Sequence, residues 1–310
     1  MAKMFWGLIK EVRPRQWIKN LALFAGLVFS GQLDKVGPVI STIEAFIIFC
    51  AITSAVYLVN DVFDLERDRQ HPFKKFRPIA SGVVPAKLAI IVASVLILAA
   101  LPLSYKISPI FFLTCVIYLV MQIFYSAYLR TVILLDIMVI AASFVLRVYA
   151  GIWVIDAHLN VWFLLSIISF ALFIATGKRR SELTLMQGQA AKTRETLLHY
   201  PQNLLDSLTS MFANSTWLTY ALFTFQQPPV AVAPNLNSFL TKISVSITEA
   251  KYLMITIPIV IYGVMRYLYV IYEKNEGESP ERALLTDTPL LTTVVLWLIL
   301  LLVIIYYFGG

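Results

Sequence analysis

Cysteine is nearly missing from this chain, and so is charge. The two cysteines, Cys50 and Cys115, both lie inside apolar runs, which excludes a disulfide framework and a Cys/His metal site. Charged residues make up 14% and hydrophobic residues 59% of the 310 positions, with a mean hydropathy of +0.78. A soluble domain would carry about a quarter charged residues. The composition therefore predicts an all-α polytopic membrane protein, a single transmembrane domain over 1–310. Strands are not expected, because an open sheet edge cannot satisfy its backbone in lipid. The basic, aromatic N-terminus MAKMFWGLIKEVRPRQWIKN has no small-residue cleavage site, so no cleavable signal is expected. No internal repeat marks the inverted halves of a transporter. The formal charge of +7, in a membrane chain, is assigned to loop bias and to anionic headgroups or phosphates, not to nucleic acid.

What is present is a series of apolar runs. Residues 1–20 form an amphipathic, basic lead-in with Trp6 and Trp17 as interface anchors. Nine spans of crossing length follow, at about 18–36, 38–60, 87–104, 109–128, 132–154, 161–177, 203–225, 251–272 and 289–308. With alternating spans, 19 of the 25 Lys and Arg fall on the side of the N-terminus and four on the other. That asymmetry predicts an N-in, C-out bundle in the cell (inner) membrane. The outer loop 226–250 is Pro-containing, nearly uncharged and carries no readable chemistry. Arg266, Glu273, Glu276, Glu278, Glu281 and Arg282 read as a solvated loop.

The densest charge stands where the second span ends, in NDVFDLERDRQHPFKKFRPIASG (60–82). Continued as a helix, Asn60, Asp61, Asp64 and Asp68 fall at about 0°, 100°, 40° and 80°, one shared arc. Carboxylates and an amide oxygen are hard ligands suited to Mg²⁺ held together with substrate phosphates, and like charges so close repel unless a cation intervenes. Asn60, Asp61, Asp64 and Asp68 are thus the expected metal ligands, the three aspartates being catalytic through it. Pro72 and Pro78 end the helix and set a turn. The turn brings Lys74 and Arg77 within reach of an anion held there. His71 reads as a turn residue.

Three further clusters fit the same cytoplasmic mouth. Tyr125, Tyr128 and Arg130 flank a short inner connection and Asp136 opens the next span, although one of the tyrosines fits an interface belt equally well. Arg147 lies 11 residues past Asp136, about 16 Å deeper at helical rise, where an ionised group needs a partner. A structural pair with Glu44 and a substrate-binding role are both consistent with it. Lys178 and Arg179, with Arg180, form a second basic cluster after the sixth span.

RPRQWIKN (13–20), the 60–82 stretch, YSAYLR (125–130) and GKRRSEL (177–183) resemble the UbiA superfamily of intramembrane prenyltransferases, and within it the decaprenyl-phosphate phosphoribosyltransferase branch. The resemblance runs over nearly the whole chain and implies the nine-helix bundle with a metal motif after helix two. One departure matters. Typical prenyl-diphosphate users of the superfamily carry a second aspartate motif after helix six, whereas residues 177–200 here contain no Asp. The resemblance therefore implies Mg²⁺-dependent transfer of 5-phosphoribosyl from phosphoribosyl diphosphate to a long polyprenyl phosphate. Lys19, Lys74, Arg77, Arg130, Lys178 and Arg179 would bind phosphates. Prenyl transfer to an aromatic or glycerol-phosphate acceptor, and a transporter without chemistry, are the alternatives.

Overall fold

A computed structural model describes residues 2–70, 74–158, 160–186, 200–227, 251–274 and 279–307. His71, residues 228–250 of the outer loop, Glu276 and Glu278 lie outside the described residues. Among those described, all regular structure is helical. In order it comprises α1 (Ala2–Val12), a 3-10 stretch (Pro14–Leu23), α2 (Phe24–Phe29), α3 (Val36–Phe63), α4 (Leu65–Gln70), α5 (Ala86–Ile107), α6 (Pro109–Ala127) and α7 (Leu135–Val154). Then come α8 (Val161–Met186), α9 (Gln202–Gln226), α10 (Ile257–Tyr269), α11 (Pro280–Thr286) and α12 (Thr288–Leu302), with π turns prolonging α10 and α12.

Among the described residues, seven helices are long and apolar enough to cross a membrane: Val36–Phe63, Ala86–Ile107, Pro109–Ala127, Leu135–Val154, Val161–Thr184, Tyr252–Lys274 and Thr288–Tyr307. Their outward faces are apolar. On α5, Ile91, Val95 and Leu98 are 59%, 59% and 73% exposed, a surface that water would not tolerate and acyl chains match. The chain is a multi-pass membrane protein.

The chain divides into two compact units, one built on Met1–Leu27 and Gln32–Ala157, the other on Val28–Gly31, His158–Gly188 and Tyr200–Gly310. In the first, α3 is central. Its Phe49, Ile52 and Val56 pack with Phe111, Cys115 and Tyr118 of α6 and Ala150 of α7. Both cysteines are free and buried.

The run 18–36, expected as one span, is not one helix. Arg13 adopts a left-handed conformation (φ 55°) before Pro14, and the chain then follows a 3-10 path. Side chains tie that path to α3: Trp17 Nε1 donates to Ser54 Oγ at 3.0 Å, and Asn20 Nδ2 to Thr53 Oγ1 at 3.1 Å. Leu23 then crosses α7 at Gly151, where a Cβ would lie 1.8 Å from the Leu23 carbonyl oxygen. Backbone cannot yield as a side chain tip can, so Gly151→Ala should cost about 1–3 kcal/mol or more. The expected readout is a lowered thermal midpoint in detergent; an unchanged midpoint would contradict this packing.

In the second unit α8 packs on α9, and Phe173, Ala213, Tyr267, Ile271 and Leu290 form its core. Helix α9 is long but polar. Ser207, Ser215, Thr216 and Thr219 return their hydroxyls to carbonyls four residues back, so these four side chains are satisfied within the helix. The solvated loop expected around 266–287 is corrected here. Asp287, fully buried, accepts two bonds from Arg266 at 2.9 Å each, one from Lys274 at 2.7 Å and one from Leu290 N–H at 3.0 Å. Asp287 caps α12, and the Arg266 guanidinium holds its carboxyl far below the usual carboxylate range. The sequence reading missed this partner because Asp287 stands 21 residues from Arg266.

Candidate functional site

The motif lies at the end of α3 in the first unit. The helix stops at Phe63, Asp64 takes a turn conformation (φ −88°, ψ 4°), and α4 resumes at Leu65. The register nearly survives the break, since Asp64 N–H bonds to Asn60 O at 2.9 Å and Asp68 N–H to Asp64 O at 2.8 Å. Asp61 and Asp68 consequently point at one place. Arg77 Nη1 stands 2.9 Å from Asp61 Oδ1 and 2.6 Å from Asp68 Oδ2, and both carboxylates are buried.

The other two acceptors are engaged differently. Asp64 receives Arg130 through two bonds, 3.0 and 2.9 Å, a bidentate fork that crosses from the loop after α6. Asn60 Oδ1 accepts from Ser126 Oγ at 2.6 Å. Asp61 carries a second guanidinium: Arg13 Nη2 lies 2.6 Å from each of its oxygens and stacks on Tyr57, 4.8 Å from the ring centre. Asp61 is thereby saturated and holds Arg13 and Arg77 in place.

Arg77 is aimed by the turn that follows. Ser81 N–H bonds back to Arg77 O at 2.8 Å and Val84 N–H to Pro78 O at 2.9 Å. Gly82 (φ 80°) takes a left-handed conformation that a side chain would strain. Beneath the turn, Ile79 N–H donates to Glu11 Oε1 at 2.9 Å. Burial, with Asp61 hydrogen-bonded beside it, pushes the Glu11 carboxyl up to about 7 from 4.5.

That shift gives a signed expectation. The folded state binds the Glu11 proton more tightly than the unfolded chain does. The contribution is therefore complete below pH 4.5 and lost as pH rises through about 7. In metal-free detergent solution, the thermal midpoint of the protein should fall between pH 5 and 8. Glu11→Gln should remove that fall and be the more stable form at pH 8. A profile equally flat for both would contradict the assignment.

The remaining expected residues divide. Lys19 in the 3-10 stretch, Lys74 before Arg77 and Tyr125 on α6 are half-buried, while Tyr128 caps α6 with 64% exposure. Asp136 is buried in the first turn of α7. Arg147 is not paired with Glu44, which is exposed on α3. It donates instead to Asn20 Oδ1 (3.0 Å), Ser143 O (2.7 Å) and Tyr118 Oη (2.8 Å), a shell of neutral acceptors that spends its donors on bracing helices. In the second unit, Arg179 is fully buried against Glu182, with Lys178 3.9 Å from the same carboxylate. Arg180 bonds Asp206 and Ile271 O and stacks on Tyr272.

Two residues beside the motif were not singled out as site residues, Arg13 and Glu11. Arg13 opens the RPRQWIKN stretch, and a basic residue before Pro is a weak signal. Glu11 had none beyond being an acid in a basic helix.

Among the described residues, no three Asp, Glu, His or Cys converge as a ready metal nest, because guanidinium groups lie between the aspartates. The donor set nevertheless suits a hard divalent cation. It is all oxygen, and two carboxylates already meet on a single cationic nitrogen.

Comparison with known proteins follows the same lines. The profile of the UbiA prenyltransferase family matches residues 21–286. The chain is 35% identical over 282 residues to the decaprenyl-phosphate phosphoribosyltransferase of Mycolicibacterium smegmatis, covering 90% of this chain and 86% of that protein. It is 39% identical over 230 residues to the Mycobacterium tuberculosis protein of the same name, covering 73% and 76%. In fold it is similar to a UbiA homolog from Archaeoglobus fulgidus solved with DMAPP and Mg²⁺. That match has a TM-score of 0.68 at 15% identity, over 96% of this chain and 98% of the other.

Proposed function

The chain belongs to the UbiA prenyltransferase family, and from that premise we propose that it transfers 5-phosphoribosyl from phosphoribosyl diphosphate to a long-chain polyprenyl monophosphate, releasing diphosphate. The observation that carries this reading is the matching of charges at the motif. Each of Asp61, Asp64 and Asp68 is met by a guanidinium from a separate segment, Arg13, Arg77 or Arg130. A donor bearing a diphosphate and a 5-phosphate, with one metal, needs both sets: carboxylates for the cation and arginines for the phosphates.

In the reaction an oxygen of the acceptor phosphate attacks the anomeric carbon of the ribose. The bond from that carbon to the diphosphate breaks, and the electron pair leaves with diphosphate. The acceptor is already ionised near neutral pH, so no added base is required. Asn60, Asp64 and Asp68, with Asp61 behind them, would hold Mg²⁺. Bound there, the ion would neutralise charge developing on the leaving diphosphate. Arg77 and Arg130, which neutralise those carboxylates here, would then be free to bind phosphate oxygens, with Lys19 and Lys74 beside them. Tyr125, Tyr128 and Asp136 shape the mouth. For Arg147, Lys178 and Arg179, substrate binding rests on the sequence alone.

The finer topology is part of the same proposal: one domain over 1–310, nine crossings, N-in and C-out, with the site on the cytoplasmic side of the inner membrane. The basic-residue asymmetry supports it, as does a family match that runs through both units. The first test is stoichiometry. Purified protein should release diphosphate from phosphoribosyl diphosphate only when both polyprenyl phosphate and Mg²⁺ are present. Release that ignores the lipid, or none at all, would contradict the reaction.

A further inference from the structure

Helix α1 has two faces that do different things. Its inner face seats on the site. Gly7 allows close approach to the turn, where a Cβ would meet Val84, Val83 and Pro78 at 3.0, 3.2 and 3.3 Å. Glu11 holds Ile79 N–H at 2.9 Å, and the Val12 carbonyl accepts Ser54 Oγ at 3.0 Å. The chain then turns through Arg13, whose left-handed backbone (φ 55°) is costly for a non-glycine residue, and delivers that guanidinium to Asp61.

The outer face is of another kind. Phe5 and Trp6 are 62% and 68% exposed and Ile9 36%. On the helix Phe5, Ile9 and Trp6 share a sector of about 100°, with Lys10 and Lys3 in the next ~60°. The one acid of α1, Glu11, is buried on the inner face, so the outer face carries only positive charge, and Arg15 just beyond it is exposed as well. The turn beneath α1 runs directly into Pro85, which precedes the first residue of membrane-crossing α5. The aromatic sector therefore lies at the depth where acyl chains meet headgroups, the setting such helices fit.

We propose that α1 is a leaflet-binding helix that recognises anionic phospholipid headgroups through Lys3 and Lys10, with Phe5, Trp6 and Ile9 inserted below them, and that this docking holds Arg13 on Asp61, so that lipid charge regulates the site. The regulatory half rests on the proposed function; the docking half does not. Each basic residue near an anionic surface contributes roughly a fivefold preference. A change of two is enough to move the occupancy of a single helix.

The test uses the full chain in nanodiscs of phosphatidylcholine alone or with about one third phosphatidylglycerol, which supplies the surface charge. Wild type is compared with Lys3→Gln/Lys10→Gln, and both amide hydrogen exchange over residues 2–12 and turnover are followed. Exchange in the wild type should slow at least about fivefold in the anionic discs. It should be indifferent to lipid charge in the double variant, with turnover following the same order. Exchange over 2–12 that is equal in both lipids overturns the docking, whatever the turnover. Exchange that follows lipid charge while measurable turnover does not overturns the coupling to Asp61. Absence of turnover in every disc would count against the proposed reaction, and the exchange arm would still decide the docking. Phe5→Ser/Trp6→Ser, which keeps both lysines, should also lose the response; if it keeps it, the apolar half of the proposal is wrong.

Discussion

Asp68→Asn should yield a folded protein whose turnover is reduced about 10²–10³-fold, the loss expected when one preorganised electrostatic partner of a transition state is removed. The substitution changes charge and almost nothing else. Asp68 is buried and bonds Arg77 at 2.6 Å, and Arg77 keeps its other carboxylate, Asp61, at 2.9 Å. The structural consequence is therefore small, whereas the motif loses one of the negative charges that would hold the metal the diphosphate needs. Asp64→Asn should behave alike through the loss of the Arg130 partner. Glu66 belongs to the same charged stretch but is 79% exposed and, among the described residues, pairs with Arg69 on its own helix. Glu66→Gln should leave turnover unchanged, since such exposed pairs contribute little. Steady-state turnover at saturating substrates separates these outcomes. Equal activity of the Asp68 and Glu66 variants would remove the metal reading.

Arg77→Ala should do two things at once. It strips a shared cation from two buried carboxylates and leaves them facing one another. Breaking a buried pair of this kind costs about 3–5 kcal/mol, and the partial exposure of Arg77 puts this case at the lower end. The thermal midpoint should fall accordingly, and turnover should be lost. Mg²⁺ should then restore part of the stability, more in the variant than in the wild type, because Asp68 no longer has a competing guanidinium while Asp61 keeps Arg13. Arg77→Lys should rescue part of the stability, since one nitrogen of Arg77 serves both carboxylates and an ammonium supplies such a point charge. Thermal melts with and without Mg²⁺ read this independently of catalysis. A variant that is no more responsive to Mg²⁺ than wild type would place the metal elsewhere.

Composition and periodicity were enough to read the membrane class, the helical architecture and the place of the motif, because lipid leaves a chain few choices. The motif was legible as an arc of acids because the register persists through Asp64. What the sequence could not show was which cations answer which anions. Arg13 reaches Asp61 across 48 residues and Arg130 reaches Asp64 across 66, separations at which spacing carries no information. The same blindness produced the pairing of Arg147 with Glu44, where depth along two helices was matched but not the direction of the side chains. It also made a solvated loop of the segment that Asp287 anchors. The 18–36 run departs from a single helix for a different reason. Its hydropathy was sufficient, but a left-handed Arg13, a proline and hydrogen bonds to α3 favour a 3-10 path over a continuous helix.

The proposed reaction moves a phosphorylated sugar onto a lipid phosphate. The most direct measurement gives the purified protein phosphoribosyl diphosphate labelled in the ribose, polyprenyl phosphate and Mg²⁺, and follows label into the organic phase with the product mass determined. The expected product is a lipid-extractable species heavier than the acceptor by one phosphoribosyl group, absent with Asp68→Asn. No extractable label, together with product from a prenyl diphosphate and an aromatic acceptor, would contradict it.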